Sequence, residues 1–169
     1  MNIFVLDKDP ILAAKFACDK HVVKMVTESC QMLCTTHNIL DGIKKENNIS
    51  KDGKPIILYK TAYENHPCSI WVRKTSSNYK WLYEHALALC HEYTKRYGKI
   101  HRCQYLIDNF LFNLPKNIKD GELTEFAQAM PEEYKNKDVV QAYRQYYIGE
   151  KLRFAKWKNG EPQWLKNLQ

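Results

Sequence analysis

The stretch Asp19-Lys20-His21-Val22-Val23-Lys24-Met25-Val26-Thr27-Glu28 places acidic, basic and apolar side chains at the spacing of an α-helix. Because residues three, four or seven apart share a helix face, His21, Lys24 and Glu28 are predicted to project together, while the apolar residues between them face a core. We predict that this helix runs to about Thr36. A polar stripe of this kind is also typical of an ordinary solvated helix with one or two ion pairs, and the spacing alone favours that simpler interpretation.

Further helix signals follow along the chain. Capping and stop residues mark six helices, which begin at Asp9-Pro10, at Asp19 as N-cap, at Pro67, near Tyr79, near Arg102 and near Asp138. The fourth is predicted to end at Gly98 and the fifth near Asn113, and the last is predicted to have Phe154 on its buried side. No convincing alternating pattern of a β-strand is present, so residues 3–6 are interpreted as an arm rather than a strand. The predicted fold class is mainly α, a compact single-domain helical fold with an extended N-terminal arm.

Residues 38–55 differ in character from the rest of the chain. They contain Asp41-Gly42, Asn47-Asn48 and Asp52-Gly53, which are turn-forming pairs, and they have no apolar periodicity. We therefore predict a polar loop insertion at about 38–55 within a single domain that spans residues 1–169.

The charge and the aromatic content of the chain indicate an anionic partner. There are 26 Lys and Arg residues against 19 Asp and Glu residues, which gives a net charge of +7. Eleven Tyr, six Phe and four Trp residues accompany them, and this combination suits phosphate contacts together with base stacking. Solubility alone would also account for the charge, so composition only suggests nucleic acid.

No apolar run approaches the roughly 20 residues of a membrane span, and the N-terminus lacks the features of a secretion signal. We expect an intracellular, soluble protein, in the cytoplasm of a bacterial host or in the nucleus or cytoplasm for a eukaryotic virus. The six cysteines are expected to be reduced, buried thiols. Cys30, Cys34 and His37 match no strong zinc pattern, so neither a metal nor a cofactor is expected.

An amine paired with a carboxylate is the most specific chemistry that these residues suggest. A chain-terminal amine has a reference pKa near 7.7–8.0, so an appreciable fraction is neutral and nucleophilic at physiological pH. Its attack on deoxyribose C1′, with a nearby Glu as proton shuttle, releases the base and leaves a Schiff base. An ordinary packed terminus is the commoner alternative. The sequence contains no glycine-rich phosphate loop, no nucleophile elbow and no dinucleotide fingerprint.

A sequence of short motifs gives a family resemblance. Asp19, His21 and Glu28 lie close behind a strand-like arm, Pro67 opens a helical region, Met130-Pro131-Glu132-Glu133-Tyr134 forms a turn, and an aromatic, basic segment ends the chain. In this order the chain resembles the phage pyrimidine-dimer DNA glycosylases of the endonuclease V type. That resemblance implies a small all-α protein with base-excision and abasic-site lyase activity.

Two departures from that family concern the site itself. The family's nucleophile is the amine of a Thr that Met removal exposes, whereas Asn2 is too large for efficient removal of Met1, so the amine of Met1 becomes the candidate. The family also has an Arg before its catalytic Glu and another three residues after it, where this chain has Thr27 and Gln31.

The resulting hypothesis is a base-excision repair enzyme, a DNA glycosylase with abasic-site lyase activity on damaged or modified pyrimidines, which acts as a monomer on double-stranded DNA. The predicted catalytic residues are Met1, Asn2, His21 and Glu28. The predicted DNA-binding residues are Lys20, Lys24, His66, Arg73, Arg144, Lys151, Arg153 and Lys156, although His66 also suits a purely local role in closing the preceding loop. Two alternatives remain open: an enzyme on the same scaffold that processes nucleotides or modified bases, and a non-catalytic phage DNA-binding or inhibitor protein.

Overall fold

A computed structural model describes residues 1–42 and 48–166, and these residues are mainly helical and contain no β-strand. Seven α-helices follow one another in the described part: α1 (Pro10–Phe16), α2 (Asp19–Asp41), α3 (Pro67–Val72), α4 (Ser76–Tyr97), α5 (Gln104–Leu106), α6 (Val139–Tyr146) and α7 (Gln163–Lys166). Helices α5 and α6 continue into π-helical turns at Ile107–Leu111 and Tyr147–Lys151, and a 3₁₀ turn spans Glu132–Tyr134. The predicted mainly α fold class is confirmed.

Helix α4 is the element against which α1 and α2 pack. Leu82, Ala86 and Leu89 are fully buried along its inner face, as the apolar periodicity predicts. The helix begins earlier than predicted because the Thr75 side chain accepts a hydrogen bond from the Asn78 amide, which is an N-cap. It ends where expected, at Gly98, whose φ of 64° is a left-handed conformation that glycine adopts without strain.

The start of α2 is fixed by charge rather than by the predicted cap. Asp19 is the first helical residue, and Cys18 precedes it as an N-cap without a side-chain hydrogen bond, so the prediction of Asp19 as the cap is wrong. The Asp19 carboxylate instead pairs with Arg96 at 3.1 Å and accepts a hydrogen bond from the Lys158 amide. Because Arg96 is buried and also donates to the carbonyl of Ala17, it joins the end of α4 to the start of α2.

The end of α2 corrects the predicted polar loop at 38–55. The helix continues to Asp41, so residues 38–41 are helical; residues 43–47 lie outside the described part. The Asp41 carboxylate accepts hydrogen bonds from the amides of Lys116 and Asn117, and the Asn38 amide group donates to the carbonyl of Tyr59. These partners are distant in sequence, so the local composition gave no sign of them.

The first six residues form the predicted arm. Ile3, Val5 and Leu6 are buried in the core, and no strand pairs with them in the described part of the chain. Phe4 has a φ of 55°, which a residue with a bulky side chain rarely adopts, so its surroundings must hold it there. The arm is therefore a packed structural element rather than a free end.

Two predicted helices are shorter or less regular than expected. The segment predicted as a helix over about 102–113 is α5 followed by the π-helical turn that ends at Leu111. The helix that begins after Asp138 ends with the π-helical turn at Lys151, so Phe154 lies beyond it. Sequence periodicity does not distinguish a π-helical turn from a regular one, because both bury the same side of a short segment.

All six cysteines are buried and free of disulfides. Among the described residues, no group of His, Cys, Asp and Glu side chains is arranged to hold a metal ion. Over the same residues, no helix has the length and apolar character needed to cross a bilayer.

Candidate active site

The N-terminal amine, the amide of residue 2 and a carboxylate of α2 meet at one point. The Met1 amine lies 3.7 Å from Glu28 Oε2, and the Asn2 amide donates a hydrogen bond of 2.9 Å to the same oxygen. The other carboxylate oxygen, Oε1, lies 3.4 Å from Lys24 Nζ. The Glu28 side chain is 12% exposed, so solvent screens these charges only in part. An amine beside a carboxylate is the arrangement that the sequence suggested.

The side chains of Met1 and Asn2 hold the amine in place. The Met1 side chain is 1% exposed, and its sulfur accepts a hydrogen bond of 3.5 Å from the Ser69 hydroxyl. The side-chain nitrogen of Asn2, Nδ2, donates a hydrogen bond to the carbonyl of Ala129 at 2.7 Å. The side-chain oxygen of Asn2 accepts one from the Tyr143 hydroxyl at 3.0 Å. Residues from three distant parts of the chain therefore fix the first two residues.

His21 lies on α2 seven residues before Glu28, about 10 Å along the helix at 1.5 Å per residue. Its ring stacks on Phe4 with centroids 4.2 Å apart, and its Nδ1 is hydrogen-bonded to the Tyr147 hydroxyl. Burial, with added repulsion from Lys151 and Lys24, lowers the pKa of His21 to about 4. His21 is therefore neutral at physiological pH. Its ring packs against Phe4 of the arm.

His66 lies near the amine and has the local role that the sequence suggested for it, while its predicted contact with DNA stays a prediction. It is the N-cap of α3, and its Nδ1 accepts a hydrogen bond from the Cys68 amide. Burial and the positive charge of the N-terminus lower the pKa of His66, while the Glu28 carboxylate raises it less. Because Nδ1 is an acceptor, the neutral ring carries its proton on Nε2, which is a hydrogen-bond donor.

The predicted DNA-binding cations fall into two groups. Five of them lie at the surface: Lys20, Lys24, Lys151, Arg153 and Lys156. Three of these also have a partner on the protein, since Lys24 pairs with Glu28, Lys151 donates to the Tyr146 hydroxyl and Arg153 donates to the carbonyl of Glu150. The other two are engaged by the main chain. Arg144 donates to the carbonyl of Leu6 and lies 3.5 Å from the Asp7 carboxylate, and Arg73 donates to the carbonyl of Glu64.

Aromatic rings accompany two of the surface lysines. Lys20 Nζ lies 5.0 Å from the centre of the Phe154 ring, and Lys151 Nζ lies 4.4 Å from the centre of the Tyr146 ring. These are cation–π distances, so each ammonium group is attracted to the face of an aromatic ring. The result is a positively charged, aromatic surface next to the arm.

A groove of about 470 Å³ opens beside Glu28. Its walls are one face of α2 and the turn that follows α4, with the lining residues Val23, Lys24, Thr27, Glu28, Gln31, His101 and Arg102. Sequence reasoning missed His101 and Arg102, because they come from more than 70 residues further along the chain and carry no local motif. The volume lies within the usual range of roughly 300–1,000 Å³ for ligand pockets.

A comparison with protein-family models identifies the family. The model for pyrimidine dimer DNA glycosylase matches residues 1–105, which include the arm, α2, His66 and the turn with Arg102. The chain belongs to the pyrimidine dimer DNA glycosylase family. Searches of curated proteins and of solved structures found no match. Membership in this family makes the chain an enzyme of the DNA-glycosylase type with DNA as its partner, and the predicted family resemblance is confirmed.

Proposed function

We propose that the chain is a monomeric, single-domain glycosylase that removes a damaged or modified pyrimidine from double-stranded DNA and then cleaves the strand as an abasic-site lyase. The observation that carries the proposal is the 3.7 Å distance between the Met1 amine and Glu28 Oε2. An amine is the nucleophile that this chemistry requires, and a carboxylate beside it is the proton shuttle.

In the first step, the neutral amine of Met1 attacks C1′ of the deoxyribose. A bond forms between the amine nitrogen and C1′, and the bond from C1′ to the base nitrogen breaks, so the base leaves with the electron pair and takes up a proton. The Glu28 carboxylate stabilises the cationic sugar as the base departs. It then accepts the proton that the amine nitrogen loses and passes this proton to the departing base.

In the second step, the sugar ring opens and an imine links C1′ to the amine. Removal of a proton from C2′ then expels the 3′ phosphate oxygen, which cleaves the strand. Glu28 lies beside the amine and is the candidate base for this proton. His66, whose neutral ring donates through Nε2, is placed to hydrogen-bond a sugar or phosphate oxygen next to the amine.

The Asn2 nitrogen is a second candidate position, because it is closer to Glu28 than the Met1 nitrogen is. As long as Met1 is present, the Asn2 nitrogen is an amide and is not nucleophilic. Intact-mass measurement of the purified protein distinguishes the two candidates directly.

Surface cations supply the contacts to the DNA backbone in this proposal. Lys24 and Lys151 lie near His21, and Lys20 lies over the Phe154 ring. Arg153 and Lys156 continue the same charge toward the C-terminus. Arg73 and Arg144 are better explained as residues that hold a loop and the arm, since main-chain carbonyls and Asp7 already engage them.

Replacing Glu28 by Gln tests the catalytic proposal. Glu28→Gln keeps the size of the side chain and removes the proton-accepting charge, so it should keep the fold and most of the DNA affinity while strand cleavage of an abasic duplex falls by roughly 10²- to 10⁴-fold. Glu84→Gln, on the exposed face of α4, is the control and should retain full activity. A Glu28→Gln protein that cleaves abasic and pyrimidine-dimer duplexes at the wild-type rate would refute the role of Glu28.

A further inference from the structure

The turn between α4 and α5 projects an apolar side chain beside the candidate active site. Gly98 ends α4, and residues 99 and 100 follow it without helical structure. Ile100 is 75% exposed, and its neighbours in the turn include the exposed cations Lys99 and Arg102. A single exposed Ile is common on protein surfaces, so its position must carry the argument.

The base of this turn is rigid. The His101 ring is buried, lies edge-on to the Tyr93 ring with centroids 5.0 Å apart, and accepts a hydrogen bond from the Cys103 amide through Nδ1. The carbonyl of His101 also accepts a hydrogen bond from the Gln104 amide. Because α4 holds one end of the turn and His101 holds the other, the exposed position of Ile100 is a fixed feature of the fold.

The same turn forms a wall of the groove that contains Glu28. His101 and Arg102 line that groove together with Lys24 and Glu28, so Arg102 adds a second cation to the groove. No described residue forms an ion pair with Arg102 within 4.0 Å. A guanidinium in this position is suited to a phosphate, which it can bind through two parallel hydrogen bonds.

An enzyme that acts on C1′ of a nucleotide within a duplex must open the base stack to reach it. Proteins that kink or unstack DNA do so by inserting an apolar side chain between bases while nearby cations hold the phosphates. Ile100 and its two flanking cations have this composition, and the groove beside them contains Glu28, the carboxylate that lies next to the amine.

We propose that the turn from Gly98 to Arg102 opens the DNA: Ile100 enters the base stack next to the lesion, and Arg102 binds a phosphate of the strand that enters the groove. This inference rests on the proposed function. In it, the turn selects sites in the DNA where base stacking is already weak. Such sites are easier to open, so the wedge favours damaged or distorted base pairs over intact ones.

The test uses duplexes in which 2-aminopurine lies next to an abasic site. The fluorescence of 2-aminopurine rises when this base is unstacked. Wild-type protein should raise the fluorescence on binding. Ile100→Ala should abolish most of that rise and slow strand cleavage about tenfold, while affinity measured at low salt stays within about twofold. Ile100→Leu should keep both properties, because Leu supplies a similar apolar volume.

The control is Ile11→Ala. Ile11 is 63% exposed on α1, whose start is tied to the beginning of α4 by a hydrogen bond from Trp81 to the carbonyl of Lys8. Ile11 is not among the residues that line the groove beside Glu28. Ile11→Ala should therefore match the wild type in fluorescence and in cleavage.

A second substrate separates opening of the stack from a general effect on the protein. In a duplex whose lesion is flanked by a mismatch, the stack is already open, so Ile100→Ala should regain the wild-type rate. Arg102→Gln should reduce the slope of log affinity against log salt by about one on either substrate.

The outcomes are distinguishable. If Ile100→Ala unstacks and cleaves the paired duplex as well as the wild type does, or if it is equally slow on the mismatched duplex, the wedge is refuted and the proposed function is untouched. If the wild type neither binds nor cleaves either duplex, the proposed function fails and the wedge fails with it.

Discussion

Removing the Tyr143 hydroxyl should slow imine formation, because this hydroxyl helps to hold Asn2 and the neighbouring amine in place. This hydroxyl lies 3.0 Å from the side-chain oxygen of Asn2 and 2.8 Å from the carbonyl of Ala127, and it accepts a hydrogen bond from the Ala129 amide. Tyr143 is fully buried, so water cannot replace the lost contacts. In Tyr143→Phe, Asn2 therefore loses one of the contacts that hold it beside Glu28.

The expected loss of stability follows from the partners left behind. A buried donor or acceptor without a partner costs about 1–3 kcal/mol, and Tyr143→Phe removes a partner from the buried side-chain oxygen of Asn2 and from the half-buried Ala129 amide. The expected loss of rate follows from geometry, since a displacement of about 1 Å at a reacting group costs up to roughly 10²-fold. We therefore expect imine formation with an abasic duplex to slow by about tenfold to a hundredfold.

Tyr79→Phe is the matched control. The Tyr79 hydroxyl is as deeply buried, and it donates to the carbonyl of Leu111 at 2.9 Å and is hydrogen-bonded to His37 Nε2 at 2.9 Å. Its removal should cost a similar free energy of unfolding, about 1–3 kcal/mol. None of its partners belongs to the arm, so imine formation should stay at the wild-type rate.

The assay combines urea unfolding with the rate of imine formation, measured at a temperature where every variant is folded. The expected pattern is two variants of similar stability, of which only Tyr143→Phe is slow. Equal rates in the two variants would refute the reasoning that Asn2 and its hydrogen bonds position the amine.

Two further predictions concern binding and pH. The logarithm of DNA affinity should fall linearly with the logarithm of salt concentration, and joint replacement of Arg153 and Lys156 by Gln should reduce the slope by about two, whereas salt-insensitive binding would contradict an electrostatic interface. Burial lowers the pKa of His21 to about 4 and that of His85 to about 3, both below the ordinary value of about 6.5. The unfolded chain therefore binds protons that the folded chain excludes, so the free energy of unfolding measured with urea should fall as pH drops from about 6.5 to 4, by about 3 kcal/mol for His21 alone. His21→Gln should show a smaller fall, and a variant with the same pH dependence as the wild type would contradict the low pKa of His21.

Local signals predicted most of the fold. Asp9 caps α1 through its side chain, Pro10 stands in the first turn, and Gly98 ends α4, all as short-range rules indicate. The predicted end of α2 was wrong because the partners of Asp41 are the amides of Lys116 and Asn117, about 75 residues further along the chain. Tertiary contacts of this kind override the composition of a segment, and the segment itself does not reveal them.

The site was predicted in part for the same reason. Glu28 and the amine of Met1 were placed together from spacing and from the family resemblance, and the structure brings them within 3.7 Å. The residues that hold the arm, Ala129 and Tyr143, have no motif, because their role depends only on where the chain returns. A basic run likewise did not reveal that the Arg144 guanidinium turns inward to Leu6 and Asp7.

Reductive trapping tests the central claim most directly. An amine that acts on C1′ passes through an imine, and borohydride reduces that imine to a stable bond between protein and DNA. With abasic and pyrimidine-dimer duplexes, peptide mapping of the adduct should locate the link at the α-amine of Met1. An adduct on a lysine such as Lys24 would move the nucleophile, and binding of both duplexes without any adduct would contradict the lyase mechanism.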